Sequence, residues 1–334
     1  MSYKPPFTIT SDILNLVADI SEQVGRFNAS LLNASPQLRK QNRIKTITGT
    51  LAIEGNTLTE QQITAIVDGK PVLGNIRELA EVKGAIAAYD ALPQFKPHRI
   101  ADLLVAHGLM MSDILLNAGV FRDKAVGIHK GGVVQHIAPP AHKVSGLMAD
   151  LTQWLKQAND HPLITSCVFH YEFEFIHPFS DGNGRMGRLW QTLILSHWHP
   201  LFLSLPLESV IKDHQQQYYQ ALEQADQHAD STPFIHFMLT VIAQTLAQSA
   251  PVNAPANASV KSPVAAYINV AGFKTADAIL ALLATKPELT RQQLADAIGK
   301  DLRTIGRAIS KLQQQNKLKR IGSDKTGHWA VQTG

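Results

Sequence analysis

A chain of 334 residues is too long for one small hydrophobic core and is typical of two or three domains. Apolar residues make up 45% of it and charged residues 17%, proportions that exclude extensive disorder. The single cysteine, Cys167, excludes an internal disulfide and lies in an apolar run, where we expect it to be buried. The sequence has no run of about 20 uninterrupted apolar residues and no secretory leader, so we expect a cytoplasmic protein with no membrane partner.

The formal net charge of +4 is unevenly distributed along the chain. Residues 261–334 contain 12 Lys and Arg against 5 Asp and Glu, whereas residues 1–260 carry a slight excess of acid. A polyanion such as nucleic acid should therefore meet the C-terminal part of the chain first.

Apolar residues recur at every third or fourth position over most of residues 11–115, which predicts helices. β-Branched residues then flank Lys130-Gly131-Gly132, and the pattern over 125–138, closed by Pro139-Pro140, predicts a short β-hairpin. Helical spacing returns in five segments, at 144–158, 163–175, 184–198, 211–227 and 233–249.

Composition changes after residue 249. Small, uncharged residues with two prolines begin the segment 250–262, which we interpret as a linker. Beyond it the pattern predicts helices at 276–284, from Thr290 and at 301–315, then two strands around 322–327; Thr290 and Gln293 have the spacing of a capping box. We therefore expect four parts, listed by residue number: an N-terminal helical region (1–100), a helical core (101–249), the linker (250–262) and a C-terminal domain (263–334).

The segment most informative about chemistry is residues 177–188, HPFSDGNGRMGR. Its glycines open a helix whose first N–H groups lack intrahelical acceptors, and the helix dipole adds positive potential for an anion. Arg185 and Arg188 are about one turn apart on that helix, so two guanidinium groups can clamp a polyphosphate. Asp181 can hold Mg²⁺ against phosphate oxygens, and His177 can accept a proton near neutral pH. The combination predicts phosphoryl or nucleotidyl transfer.

Two other interpretations fit parts of this segment. Gly182, Gly184 and Gly187 have the spacing of a dinucleotide-binding fingerprint, and Glu208 follows about 20 residues later. The second strand of that fold would contain Pro206, and dinucleotide binding leaves the two arginines unexplained. A plain helix start with a buried histidine and solvated arginines explains each residue singly but not their joint spacing.

Residues 177–188 match all nine specified positions of HPFx(D/E)GNGRxxR, and the segment therefore resembles the motif of the Fic (filamentation induced by cAMP) family. Gly119 to Arg122 with the hairpin also resembles the flap region of that family, and Tyr218-Tyr219 resembles its downstream helix. The resemblance covers about residues 40–245. It implies a mainly α fold, with a Fic-type helical core and a β-hairpin flap.

The resemblance also implies an activity: transfer of AMP from ATP to a Ser, Thr or Tyr hydroxyl of a target protein or of the chain itself, with release of pyrophosphate. His177 would be the general base, and Asp181 would hold Mg²⁺ or Mn²⁺. The phosphate-binding residues would be Gly182, Asn183, Gly184, Arg185 and Arg188, the last at the γ-phosphate. Relatives that act as kinases carry a bulkier basic residue at the position of Gly184, so this glycine favours AMP transfer.

The flap would bind the target protein as an added strand, and we expect this contact to use Val126, Gly127, Ile128 and His129. An ordinary surface hairpin fits the same residues equally well.

Upstream, Thr50 and Glu54 share a helix face, and Gly55 can end that helix in the left-handed conformation. On its own this is a helix end with an exposed acid. Together with residues 177–188, however, residues 50–55 resemble the inhibitory motif (S/T)xxxE(G/N) of the Fic family, which implies that Glu54 pairs with Arg188 and restrains transfer. In some relatives the same glutamate supports removal of AMP, so a reverse, de-AMPylating activity stays open.

The predicted C-terminal domain resembles a winged helix-turn-helix domain. Its third helix has an apolar face and a separate stripe with Arg303, Arg307 and Lys311, and Lys319 and Arg320 follow in the wing. These five residues predict contact with DNA, although winged helices also dock proteins.

We therefore expect an autoinhibited protein adenylyltransferase, with homodimers suggested by the family resemblance. The alternative is a DNA-binding transcriptional regulator whose Fic domain senses nucleotide or a partner. The presence of His177 favours the enzyme, because sensing alone needs no base at that position.

Overall fold

A computed structural model of the protein describes residues 3–26, 36–130, 133–249 and 275–331, the last range with gaps at 286, 288, 299, 316 and 322–327. The chain divides into two compact units, Met1–Val252 and Asn253–Gly334. Helices dominate, which confirms the predicted mainly α fold class. The predicted linker, 250–262, lies outside the described residues. Within the described ranges, no helix has the length and apolarity needed to cross a membrane.

The first unit contains eleven described α-helices and one hairpin. The helices are α1 (Ser11–Arg26), α2 (Pro36–Ile53), α3 (Glu60–Val67), α4 (Ile76–Ala91), α5 (Ile100–Met111), α6 (Ala141–Gln157), α7 (Pro162–Ile176), α8 (Asn183–Trp198), α9 (Leu207–Asp213), α10 (Gln215–His228) and α11 (Thr232–Ser249). Short 3₁₀ turns follow α4 and α8, at Leu92–Gln94 and Pro200–Leu203.

Helices α7 and α8 form the centre of this unit and pack against each other. Nearly every residue of α7 is buried, including polar ones such as His170, so the helix has no solvated face. A helix buried on all sides belongs to the core of a domain. The loop between α7 and α8 carries the first half of residues 177–188 and α8 carries the rest, so the fold holds this segment at the junction of two buried helices.

Helix α2 crosses α9 at close range. A Cβ atom added to Gly49 would lie 2.6 Å from backbone atoms of Glu208 and Ser209, so only glycine allows this approach. The contact anchors α2 four to five residues before its C-terminal end.

We expect Gly49→Ala to lower the free energy of unfolding by about 1–3 kcal/mol, because the added methyl group overpacks the crossing. Gly146→Ala is the matched control: Gly146 is exposed on α6 with open space at its Cβ position. This control should raise the stability by about 0.5–1 kcal/mol, since alanine favours helix. Urea denaturation of both variants makes the comparison, and equal stabilisation by both would contradict the close crossing.

The predicted single helix at 211–227 is wrong, because the chain breaks it at His214. His214 has φ −114° and ψ 30°, ends α9 and precedes α10. Helix α9 packs mainly on α2 and also on α11, whereas α10 packs on α11, so the main packing partner changes at the break. The spacing of apolar residues continues across His214, so the sequence pattern does not show that the packing partner changes there.

The predicted hairpin is present as β1 (Gly127–Lys130) and β2 (Val133–Ile137), which pair antiparallel. Gly127 pairs with Ile137, and the register shifts between Ile128 and His129. The backbones of Gly127, Ile128 and His129 therefore lie on β1, while the half-buried Val126 precedes the strand. The side chains of 127–137 lie outside the described part of the structure.

The second unit has the element order that the sequence predicts. It contains α12 (Thr275–Thr285), α13 (Arg291–Ile298), α14 (Leu302–Gln314) and the antiparallel pair β3 (Leu318–Ile321) and β4 (His328–Val331). The predicted capping box is confirmed, since Thr290 and Gln293 exchange side chain–backbone hydrogen bonds. A separate core holds the elements together, with residues that include Ile279, Leu282, Leu294, Ile305, Ile309, Leu318 and Trp329.

Candidate active site

Helix α7 ends at His177, whose backbone is left-handed with φ 50° and ψ 62°. This conformation costs a non-glycine residue about 1–3 kcal/mol, and such strain is found mainly where the surroundings enforce it. The His177 N–H donates to the carbonyl oxygen of Phe173 at 2.9 Å, and the chain then turns towards α8. The strained turn places the His177 side chain at the wall of a cavity described below.

The loop before α8 is held by its own side chains. The side-chain oxygen of Asn183 accepts from the Phe179 N–H at 2.9 Å, and its amide nitrogen donates to the Phe179 carbonyl at the same distance. Gly182 has φ 85°, and a Cβ atom there would lie 2.9 Å from the sulfur of Met111. The Asn183 side chain therefore shapes the loop, and the first backbone N–H groups of α8, which lack intrahelical acceptors, can serve an anion.

Arg185 projects from the first turn of α8 with its side chain only 3% exposed. Its Nη2 donates to Oδ1 of Asp181 at 3.3 Å, and its Nη1 lies 3.6 Å from a carboxylate oxygen of Glu81. Among the described residues, Nε and Nη1 of Arg185 have no hydrogen-bond acceptor. A buried guanidinium with unused donors is suited to an anionic ligand such as phosphate.

Asp181 lies at the edge of the site, with its side chain 36% exposed. Its carboxylate accepts from the Gly182 N–H at 2.6 Å and pairs with the exposed Arg77 at 3.0 Å. The described residues contain no group of three His, Cys, Asp or Glu that could hold a metal ion. Mg²⁺ commonly binds one carboxylate together with substrate phosphates and waters, and Asp181 fits that mode.

Arg188, the second arginine of the segment, has a side chain that is 1% exposed. Its Nη2 donates to Glu54 at 2.7 Å and to the carbonyl oxygen of Thr50 at 3.1 Å, and its Nε donates to the Thr50 hydroxyl at 3.0 Å. Burial acts to lower the pKa of Arg188, but the opposite charge of Glu54 raises it, and the net shift of the pKa is upward. The guanidinium therefore stays charged. The structure thus brings Thr50, Glu54 and Arg188 together.

Glu54 also lies against the first turn of α8. A Cβ atom on Gly184 would lie 2.5 Å from Oε1 of Glu54 and 3.1 Å from Nη1 of Arg188. Glu54 follows the last residue of α2, and Gly55 ends the turn with φ 90°. The carboxylate therefore covers the end of α8 where an anion would bind.

A cavity of about 190 Å³ joins these groups to an aromatic region. Its lining includes Glu54, His177, Gly184 and Arg188. The same cavity is lined by the apolar and aromatic side chains of Tyr171, Phe175, Tyr218, Tyr219 and Leu222 and by the carboxylates of Glu174, Glu223 and Asp226. Aromatic faces stack on nucleobases, so the cavity combines groups for phosphate with groups for a base.

A larger groove, of about 940 Å³, lies between α2, α3 and α4 and the 3₁₀ turns. No residue of 177–188 lines it, and neither does Glu54. Size alone would select this groove, but His177, Gly184 and Arg188 line the smaller cavity, which is therefore the candidate active site.

Sequence reasoning missed His107 on α5. The buried ring stacks on Phe179 with centroids 3.7 Å apart, and its Nδ1 accepts from the Gly119 N–H at 2.8 Å. Its Nε2–H therefore donates to the carbonyl oxygen of Asp181 at 3.0 Å. Burial lowers the pKa of His107 to about 4, which keeps the ring neutral at physiological pH. The available signal was a histidine at an apolar position of a helix.

Sequence reasoning also missed Arg77 and Glu81 on α4, which flank Asp181 and Arg185. Glu81 accepts a hydrogen bond from Asn56 at 2.8 Å, in the loop that follows Glu54. Their spacing of four residues is common on helix surfaces, so it carried no specific signal.

Comparison with known proteins agrees with this geometry. Residues 97–195 match the sequence family described as Fic/DOC. Two curated relatives named protein adenylyltransferase Fic, from Culex quinquefasciatus and Aedes aegypti, are each 30% identical, over 219 and 229 residues. These matches cover 62% and 64% of this chain but 41% and 43% of the relatives, so the chain spans less than half of their length.

Solved structures extend the similarity over more of the chain. Fic-1 from C. elegans is 24% identical with a TM-score of 0.58, covers 71% of this chain and 70% of its own, and shares the fold. A Fic family protein from Desulfovibrio desulfuricans G20 is 41% identical with a TM-score of 0.71, and the match covers 99% of both chains. Because this match covers 99% of both chains at 41% identity and the site geometry agrees with it, the chain belongs to the Fic family.

Proposed function

We propose that this protein is a Mg²⁺-dependent protein adenylyltransferase that transfers AMP from ATP to a protein hydroxyl. The observation that carries the proposal is that His177, Gly184 and Arg188 line one cavity together with aromatic side chains. Arg185 and Asp181, which pair with each other, belong to the same loop and helix start. The relatives from mosquitoes bear the name of this activity, which supports the proposal. We place the protein in the cytoplasm, because its single cysteine, Cys167, cannot form an internal disulfide and a free thiol fits a reducing compartment.

In the proposed reaction, His177 removes the proton from the acceptor hydroxyl. The oxygen then attacks the α-phosphorus of ATP, a new P–O bond forms, and the bond to the β-phosphate breaks, so that pyrophosphate leaves. Arg185 and the N-terminal N–H groups of α8 stabilise the negative charge on the phosphates. Asp181 would hold Mg²⁺ or Mn²⁺, which supplies further charge neutralisation when bound.

Glu54 acts as an inhibitor in this proposal. It occupies the guanidinium of Arg188, which would otherwise bind the γ-phosphate, and it covers the position next to Gly184. ATP can then bind, but its phosphates do not reach the arrangement that transfer requires. The proposal includes the reverse activity, in which Glu54 supports removal of AMP from a modified protein.

ATP labelled at the α- or the γ-phosphate tests the proposal. The chain and its Glu54→Gly variant are incubated with each label, Mg²⁺ and a cell lysate, and labelled protein is separated from nucleotide. Label from the α-phosphate alone supports AMP transfer. Label from the γ-phosphate alone would instead establish a kinase, and no label from either would contradict transferase function.

A second candidate function, DNA binding by the C-terminal unit, is favoured by the exposed cations of α14. Arg303, Arg307 and Lys311 are exposed on this helix, opposite the buried Ile305 and Ile309. In the described part of the chain, these three cations form no ion pair with Asp or Glu. On the adjacent strand Lys319 is exposed, and the guanidinium of Arg320 lies 4.9 Å from the ring centre of Trp329. The exposed cations of α14 suit a polyanion such as DNA, as a DNA-binding regulator would require.

We expect the full chain to bind duplex DNA in a salt-dependent manner, and Arg303→Ala/Arg307→Ala to weaken that binding. Each lost phosphate contact should reduce the slope of log affinity against log salt by about 1, so about 2 for the double variant. Lys143→Ala/Lys156→Ala on α6 removes two exposed cations elsewhere and should leave the slope unchanged. Fluorescence anisotropy at several salt concentrations measures the DNA affinity and its salt slope for the wild-type chain and for both double variants. Failure of the wild-type chain to bind DNA at low salt would remove this function.

A further inference from the structure

Arg122 is a buried arginine whose hydrogen-bond partners in the described residues are all backbone carbonyls. Its side chain donates to the carbonyls of His177 (2.7 Å), Lys124 (2.9 Å), Pro139 (2.6 Å) and Ile176 (3.3 Å). Its own N–H donates to the carbonyl of Pro178 at 2.9 Å. The residue is only 3% exposed, so these contacts are shielded from water.

The carbonyls belong to two parts of the active site. Ile176 is the last residue of α7, and His177 and Pro178 follow it, where the left-handed turn presents the imidazole. Lys124 precedes β1 and Pro139 follows β2, so they are the two ends of the hairpin. One guanidinium thus joins both ends of the flap to the backbone of His177. The negative end of the α7 dipole also favours a cation at this place.

We infer that Arg122 is a positioning residue that fixes the flap relative to His177. This inference rests on the proposed function, in which the flap holds the acceptor segment and His177 removes the proton from its hydroxyl. Both depend on the same guanidinium, so Arg122 sets how close the acceptor oxygen comes to the imidazole. None of the contacts of Arg122 reaches Arg185, Arg188 or the start of α8, so nucleotide binding does not depend on it.

Lysine cannot replace arginine in this role. The planar guanidinium presents donors in several fixed directions, which matches carbonyls from three segments of chain. A lysine ammonium is a single point at the end of a flexible stem and cannot reach both hairpin ends and α7 together. Arg122→Lys therefore keeps the charge and removes the bridge.

The test compares Glu54→Gly with Glu54→Gly/Arg122→Lys by self-labelling from α-labelled ATP. The maximal labelling rate should fall about tenfold, because small displacements of reacting groups lower rates by up to about 100-fold. Three other quantities should change less than about threefold. They are the KM for ATP, the Kd for a non-hydrolysable ATP analogue and the slow rate at which water, in place of the acceptor hydroxyl, hydrolyses ATP to AMP and pyrophosphate. Arg26→Lys, at an exposed arginine of α1, is the control and should change none of these.

Amide hydrogen exchange gives a readout that does not need activity. In Arg122→Lys, amides of residues 124–130 and 133–138 should exchange faster than in wild type, while those of α8 keep their protection. Unchanged labelling, or a parallel loss of labelling, nucleotide affinity and α8 protection, would overturn the inference. If Glu54→Gly labels nothing, the proposed function fails separately, and unchanged exchange in the flap would still refute the role of Arg122.

Discussion

Replacing Glu54 with glycine is expected to raise AMP transfer by about 10- to 150-fold. The carboxylate makes a 2.7 Å charge-assisted hydrogen bond to the buried Arg188, and it covers the Cβ position of Gly184. Hydrogen bonds to charged groups contribute about 1.5–3 kcal/mol, and each 1.4 kcal/mol corresponds to a factor of ten. Removal of the carboxylate frees Arg188 for the γ-phosphate, and it leaves the contacts of Thr50 with Arg188 in place. Initial rates of self-labelling from α-labelled ATP measure the gain.

Two variants show whether the charge or the bulk of Glu54 is responsible. Glu54→Gln keeps the size but not the charge and should give an intermediate rate. Glu60→Gln changes an exposed carboxylate at the start of α3 and should have no effect. Equal rates for wild type and Glu54→Gly, at saturating ATP, would show that Glu54 is not an inhibitor.

Replacing His177 with alanine in the Glu54→Gly background is expected to lower transfer by about 100- to 10,000-fold, the usual contribution of a general base. The side chain faces the cavity beside Gly184 and Arg188, where the acceptor hydroxyl must meet the α-phosphate. Nucleotide affinity should change little, because Arg185 and the start of α8 keep their positions. Transfer rate and the Kd of a non-hydrolysable ATP analogue are therefore measured on the same preparation.

His98→Ala, at an exposed histidine before α5, serves as the control and should keep full activity. Added imidazole should partly restore the rate of the His177→Ala variant, since it can enter the vacated space and accept the proton. A variant that retains most of its transfer rate would assign the base to another group.

The sequence predicted those parts of the site that are local in the chain. Residues 177–188 carry the histidine, the carboxylate, the glycines and the arginines in one loop and the first two turns of one helix, so their spacing nearly determines their geometry. The pair between Glu54 and Arg188 spans 134 positions and was accessible only through the family resemblance.

The remaining contacts depend on packing between distant elements. His107 supports the loop from α5, Arg77 reaches Asp181 from α4, and Arg122 joins the hairpin to α7. A single sequence shows a histidine or arginine on a helix or loop, but not which carbonyl it will meet. The break at His214 has the same origin, because the packing partner changes while the apolar spacing continues.

If Glu54 inhibits as we propose, the close crossing at Gly49 limits how that inhibition can be relieved. Because α2 is held against α9 at this point, the helix cannot slide away as a rigid rod. Motion that frees Arg188 must arise after it, in the final turn from Leu51 to Gly55. The buried Leu51 and Ile53 hold the backbone of this turn, so we expect Glu54, whose side chain is partly exposed, to leave Arg188 for only a small fraction of the time. If Glu54→Gly raises the rate about 100-fold, the wild-type chain is open about 1% of the time, and that population sets its resting activity.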